Sequence, residues 1–184
     1  QMVADVDAIN TGGNAILGMK IKNQNFSAGM DFENIYKDGV RNMTMLMMGT
    51  ASTKRFNLWN KAVIQNGGLF AGYNTSFKSF KLDAAMRIDF NKADSEDTLK
   101  LIKNGVEYFN ETTSQFVNLS ANLGLTHKIT EKLSVSSSIA RGTRSPNMLE
   151  RYIKLLSVGY DNYDYLGNPQ LKPETNNEVD LTVK

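Results

Sequence analysis

The stretch Phe80-Lys81-Leu82-Asp83-Ala84-Ala85-Met86-Arg87-Ile88-Asp89-Phe90 alternates throughout, with apolar residues at even positions and Lys, Asp, Ala, Arg and Asp at odd ones. A period of two belongs to a β-strand, whose successive side chains point to opposite faces. The apolar face is long for a strand in water and carries an aromatic ring at each end. That order suits a strand crossing a bilayer, because hydrocarbon favours aliphatic side chains and the two interfaces favour aromatic rings.

The same period runs outward from this stretch. Val117, Leu119, Ala121, Leu123 and Leu125 alternate with Asn118, Ser120, Asn122, Gly124 and Thr126, and Phe26, Ala28, Met30 and Phe32 with Ser27, Gly29, Asp31 and Glu33. Weaker alternation passes through Leu17, Met19 and Ile21, through Leu69, Ala71, Tyr73 and Thr75, through Leu133, Val135, Ser137 and Ile139, and through Val179, Leu181 and Val183. This predicts about seven or eight antiparallel strands of roughly nine to eleven residues, the length that crosses a bilayer at a tilt. Short turns are expected at Asn23-Gln24-Asn25, Phe77-Lys78-Ser79 and Lys128 to Glu131, and long polar loops at about 38–66, 92–114 and 144–174. Short and long connections alternate, as periplasmic turns and external loops do in an outer-membrane barrel.

Composition agrees. The 184 residues are 41% hydrophobic and 22% charged with a net charge of +2, so the whole chain is not disordered. Twenty Asn, 14 Gly and only 3 Pro suit strands and turns better than a helical bundle. No apolar run is long enough for a spanning helix. The absence of cysteine and the single His127 exclude thiol nucleophiles, Cys-ligated metals and two-His motifs, and no nucleophile–base or carboxylate pair stands out, so an enzyme is not expected. Lys and Arg are interleaved with acids, which argues against a nucleic-acid partner. The start, Gln1 to Asp7, lacks the basic region of a signal peptide and reads as a cut inside a longer chain. Two rivals remain open on these grounds: a small complete outer-membrane barrel for adhesion or anchoring, and a soluble ligand-binding β-domain with the apolar face inward.

The segment Ala140-Arg141-Gly142-Thr143-Arg144-Ser145-Pro146-Asn147-Met148-Leu149-Glu150-Arg151-Tyr152 closely resembles the R-G-F-R-A-P-x-x-x-E-x-Y motif of TonB-dependent outer-membrane receptors, with Thr143 and Ser145 in place of Phe and Ala. Downstream, Tyr165-Leu166-Gly167-Asn168-Pro169-Gln170-Leu171-Lys172-Pro173-Glu174-Thr175 resembles the G-N-P-x-L-K-P-E-[ST] element that precedes the next strand in that family. The resemblance implies a barrel of about 22 strands closed by an N-terminal plug, in the bacterial outer membrane, importing a scarce nutrient with energy from the TonB complex. On this reading residues 1–184 are part of the barrel domain, the plug that contacts TonB is absent, and an end at Val183-Lys184 without a terminal aromatic leads one to expect further strands.

Several residues stand out as contacts. Arg141 continues the lipid-facing series, where a guanidinium can reach lipid phosphates. Arg144, Arg151, Tyr152 and Tyr163 are the expected substrate contacts, the tyrosines, with Tyr160 and Tyr165, offering aromatic surface to a siderophore, a haem-like ring or a sugar. Glu150 with Arg144 and Arg151 reads equally as loop-ordering ion pairing, and Gly167-Asn168-Pro169 as a turn. Met43, Met45, Met47 and Met48 are the expected metal ligands, since thioethers are soft donors that select Cu(I). Copper-type receptors exist in the resembled family, and the run is compatible with them; the same methionines also read as loop packing. Asp94, Glu96 and Asp97 lack the spacing of an EF-hand. His127, beside a short turn, reads as interfacial. No cofactor is expected; copper or an iron chelate would be the transported substrate, and lipid, TonB and that substrate the partners.

Overall fold

The computed structural model describes residues 2–96, 102–103, 106–107, 112–153, 156–157 and 164–184. The main strands are β1 (Met2–Ile21), β2 (Gln24–Met47), β3 (Thr50–Phe77), β4 (Phe80–Asp94), β5 (Ser114–Lys128), β6 (Ser134–Arg144) and β7 (Glu174–Val183). They form one antiparallel sheet in chain order, so every neighbour in space is a neighbour in sequence. A short helix, α1 (Met148–Tyr152), stands between β6 and β7. Two-residue ladders pair Ile102–Lys103 with Val106–Glu107, and Leu156–Ser157 with Asp164–Tyr165, inside the long connections. The sheet is open: β1 and β7 are its outermost strands.

Register brings the alternations into phase. Leu82 faces Leu125, Ala84 faces Leu123, Ile88 faces Leu119 and Phe90 faces Val117, and the same phase continues to Leu69, Met30 and Leu17. This apolar face is not buried by the chain: Leu17 is 79% exposed, Met86 52% and Leu181 73%. A contiguous unpartnered apolar face of this size needs hydrocarbon against it, which is where a barrel wall differs from a soluble sandwich. Phe80 stacks on His127 with ring centroids 4.2 Å apart, so the histidine joins the aromatic edge of the band beside the short turns. The upper limit of the band slants across the register, since Val117 is still apolar whereas Arg141 already stands opposite Ala121, nearer the turns. A slant of this kind is what tilted strands produce in a horizontal membrane.

The long strands depart from expectation. Residues 38–66 are not a loop, because β2 and β3 continue as one hairpin to a two-residue turn at Met48-Gly49. Met48 (φ 50°) and Gly49 (φ 80°) are both left-handed, the geometry that matches the twist of flanking strands in a two-residue hairpin. A bulge at Lys61 (φ 44°) lets β3 continue past a register shift between Lys37 and Val40. Methionine is not among the residues that mark a strand and this turn lacks an Asn-Gly pair, so cross-strand pairing decides what local signals leave open. The tight turns lie at Lys22-Asn23 and Lys78-Ser79, each overlapping its expected place, with Gln24 and Asn25 already in β2.

Candidate functional site

Beyond Glu33, Asn66 and Asn91 the polar phase of β2, β3 and β4 turns apolar, at Ile35, Ala62, Ile64 and Ala93. Against that patch α1 lays Met148 and Tyr152, with Trp59 and Leu166 at the edge, forming a small buried core at the outer end of the wall. The helix starts where Asn147 accepts hydrogen bonds from the Leu149 and Glu150 amides and the Glu150 carboxylate accepts from the Asn147 amide, a reciprocal capping box. Glu150 also takes both terminal nitrogens of Arg144 at 2.9 and 3.0 Å, and Arg144 reaches Glu174 of β7 at 2.8 Å. The second motif closes on the first: the Gly167 amide donates to the Ile153 carbonyl and the Asn168 amide to that of Glu150, both at 2.8 Å. Asn168 to Leu171 then form a turn with the wholly buried Pro169 at its second position and an Asx bond from the Gln170 amide. Two motifs well separated in the chain are therefore one knot, and each supplies a glutamate, Glu150 and Glu174, to the same Arg144.

Below the knot, on the polar face, lies a cavity of about 430 Å³ between the wall and the segment from Thr143 to Met148. Its wall carries three carboxylates, Asp31, Glu33 and Asp89, with Arg87 and Arg144 as the cations. Arg87 grips Asp31 with two bonds of 2.7 and 2.8 Å and gives its Nε to Asp89 at 2.7 Å. Glu33 instead accepts from the amide groups of Asn10 and Asn66, each at 3.1 Å. From Asn66 a ladder continues: Asn91 donates to Asn66 at 2.6 Å, and Arg151 donates to Asn91 at 2.7 Å and to Ser114 at 3.1 Å. The charge of Arg144 is taken up by Glu150 and Glu174, which leaves the cavity with an acidic excess. Such a surface favours a cation or a cationic complex over an anion.

The expected substrate residues separate. Arg144 lines the cavity. Arg151 and Tyr152 are buried: Arg151 is 0% exposed, with its guanidinium over the Phe116 ring, and Tyr152 donates its hydroxyl to the Thr112 carbonyl at 2.7 Å. Burial pulls the Arg151 guanidinium below its ordinary pKa and pushes the Tyr152 phenol above its own. Both residues anchor the knot, Tyr152 on the apolar patch of Ala62, Ile64 and Ala93 and Arg151 on Asn91 and Ser114. Tyr160 and Tyr163 lie outside the described residues, as does Asp97. Asp94 accepts from the Thr112 hydroxyl and Glu96 pairs with Lys61, so these acids serve the rim. Among the described residues no group of three or more His, Cys, Asp or Glu is placed to hold a metal. Asp31, Glu33 and Asp89 belong to no motif and do not stand out in the sequence as site residues, although the polar phase of the alternation already puts them on this face; the Asn147-x-x-Glu150 box is the legible signal for α1.

Arg144 and the Asn147 amide hold the Glu150 carboxyl below its ordinary 4.5. A carboxyl lowered on folding contributes stability above its unfolded pKa and loses it as pH falls through the lowered folded value. The clamp is therefore complete at neutral pH and opens in acid. Limited proteolysis of the 144–174 region should accelerate as pH falls below the ordinary carboxylate range, and Glu150→Gln, at a cost of about 1 kcal/mol for this half-exposed pair, should flatten that dependence.

The family model described as TonB dependent receptor-like, beta-barrel, matches residues 4–184. Among solved structures the chain is similar to "Copper transporter OprC", with a TM-score of 0.73, 15% identity and 99% of this chain but 28% of that one covered. It is also similar to the siderophore receptor PiuA from Acinetobacter baumannii, with a TM-score of 0.63, 14% identity and 99% of this chain and 29% of that one covered. The chain thus spans less than a third of the solved structures it matches. Comparison with curated proteins returns no match. With an outward apolar band, an inward polar cavity and a family model covering nearly its full length, the chain belongs to the TonB-dependent receptors, bacterial outer-membrane proteins that are not enzymes, as part of their β-barrel.

Proposed function

We propose that the receptor containing this chain imports a metal ion or metal chelate across the outer membrane, with energy drawn from the TonB complex through a plug outside this sequence. The observation that carries this is the acidic cavity on the inner face, under the knot. Its Glu33 carboxylate is held open by two amides, and the Arg87 pairings keep the rest of the lining rigid, so a cationic cargo meets fixed charge. The structural neighbours titled as a copper transporter and a siderophore receptor support the same class of cargo. Arg144, which lines the cavity, and Tyr163 are proposed as contacts of the cargo.

The test is accumulation of radiolabelled iron chelates and of copper in cells with and without the receptor, before and after collapse of the proton gradient. Receptor-dependent uptake that stops with the gradient is the expected result. Uptake equal in both strains, or unaffected by the gradient, overturns the proposal.

A further inference from the structure

The register of β1 and β2 re-sorts the methionines. Met2 is the direct cross-strand partner of Met43, although 41 positions separate them in the chain. Met45 follows two residues on and shares the Met43 face by alternation, opposite Ser52, while Met43 is opposite Lys54. This face is the outward continuation of the one that carries Asp31 and Glu33 along β2, so the three thioethers stand above the cavity on the same side of the wall. Met48 leaves the group, because it occupies the left-handed turn and is fully exposed to solvent. The side chain of Met47 lies outside the described residues.

We propose that Met2, Met43 and Met45 form a thioether site for a soft monovalent cation, Cu(I) or its analogue Ag(I), at the outer mouth of the receptor. Directly opposed residues on an antiparallel pair have Cβ atoms about 4.5–5.5 Å apart, and residues two apart on one strand lie about 7 Å apart, distances that flexible methionine side chains close around one ion. Three neutral sulfur donors suit a soft d10 ion and offer little to magnesium, calcium or zinc. Lys54, across from Met43, adds positive charge on an exposed stem, which repels a divalent ion about twice as strongly as a monovalent one. The ligands need no deprotonation, so binding should persist in mild acid, where carboxylate and imidazole sites fail.

This site rests on the import reading for its purpose but not for its chemistry. The experiment titrates the full-length receptor, purified from outer membranes in detergent, with Cu(I) against a colorimetric Cu(I) chelator, and repeats it with Ag(I). Met2→Leu, Met43→Leu and Met45→Leu conserve volume, and heat-modifiable gel mobility confirms that each variant is folded. Each should weaken Cu(I) about tenfold or more, whereas Met48→Leu should stay within about twofold. Equal affinity in the Met2→Leu/Met43→Leu double variant, or an equal loss in Met48→Leu, overturns the site. Selective loss of binding in folded variants, with no copper uptake by the wild-type receptor in cells, upholds the site and removes only the import reading.

Discussion

Gly167→Val is expected to unfasten the outer knot of the barrel wall, at a cost of about 3–5 kcal/mol from overpacking and two lost backbone hydrogen bonds. A Cβ at Gly167 would come within 2.5 Å of the Arg151 carbonyl carbon and 2.6 Å of both the Arg151 oxygen and the Tyr152 nitrogen. All three are backbone atoms of α1, so no side chain can swing away to make room. The amides of Gly167 and Asn168 would have to leave the carbonyls of Ile153 and Glu150, and Pro169 would lose its burial. Because Arg151 and Tyr152 anchor this knot to β4 and β5, the loop should detach while the wall survives. The check is proteolysis of the intact receptor in outer membranes: rapid cleavage within 144–174, with the heat-modifiable barrel retained. Cleavage as slow as in the wild type would mean that the two motifs are not packed as one unit.

Met86→Arg is expected to cost about 2–4 kcal/mol, the value for a cation on the lipid face near the middle of the hydrocarbon. Met86 sits at the centre of the β4 band, between Ala71 and Ala121 in register, with no acid beside it on that face. Its chain neighbour Arg87 shows the contrast, since one residue on the alternation reverses and the guanidinium finds Asp31 and Asp89 on the inner face. Urea unfolding of the receptor in lipid vesicles should show the loss for Met86→Arg. Ala85→Ser, one residue along on the inner face, should leave the unfolding free energy within about 0.5 kcal/mol of the wild type. A neutral Met86→Arg would contradict lipid contact at this level.

The two faces of this sheet are legible in the amino-acid order alone, because a strict period of two needs no partner to be recognised, and the aromatic ends of the 80–90 stretch name the solvent. The motif residues from Arg141 to Tyr152 and from Gly167 to Glu174 point to the family for the same local reason. What they do is not legible there. Arg151 and Tyr152 look like exposed loop residues until Ile64, Ala93 and Asn91 are brought beneath them by strands far away in the chain, and burial then makes them anchors of the knot.

Length and reach of the outer hairpin are likewise set in three dimensions. Residues 38–66 carry polar and methionine-rich text with one weak turn signal, and pairing with β1 and β3 makes strands of them. Strand period and face follow from the primary structure, since each depends on neighbours one or two residues apart. Which distant residues meet follows only from the folded structure, which pairs Met2 with Met43 by register, reaches Asp31 from Arg87 across β3 and seats Arg151 of α1 on Asn91, because those contacts depend on strand register and loop packing that no local pattern encodes.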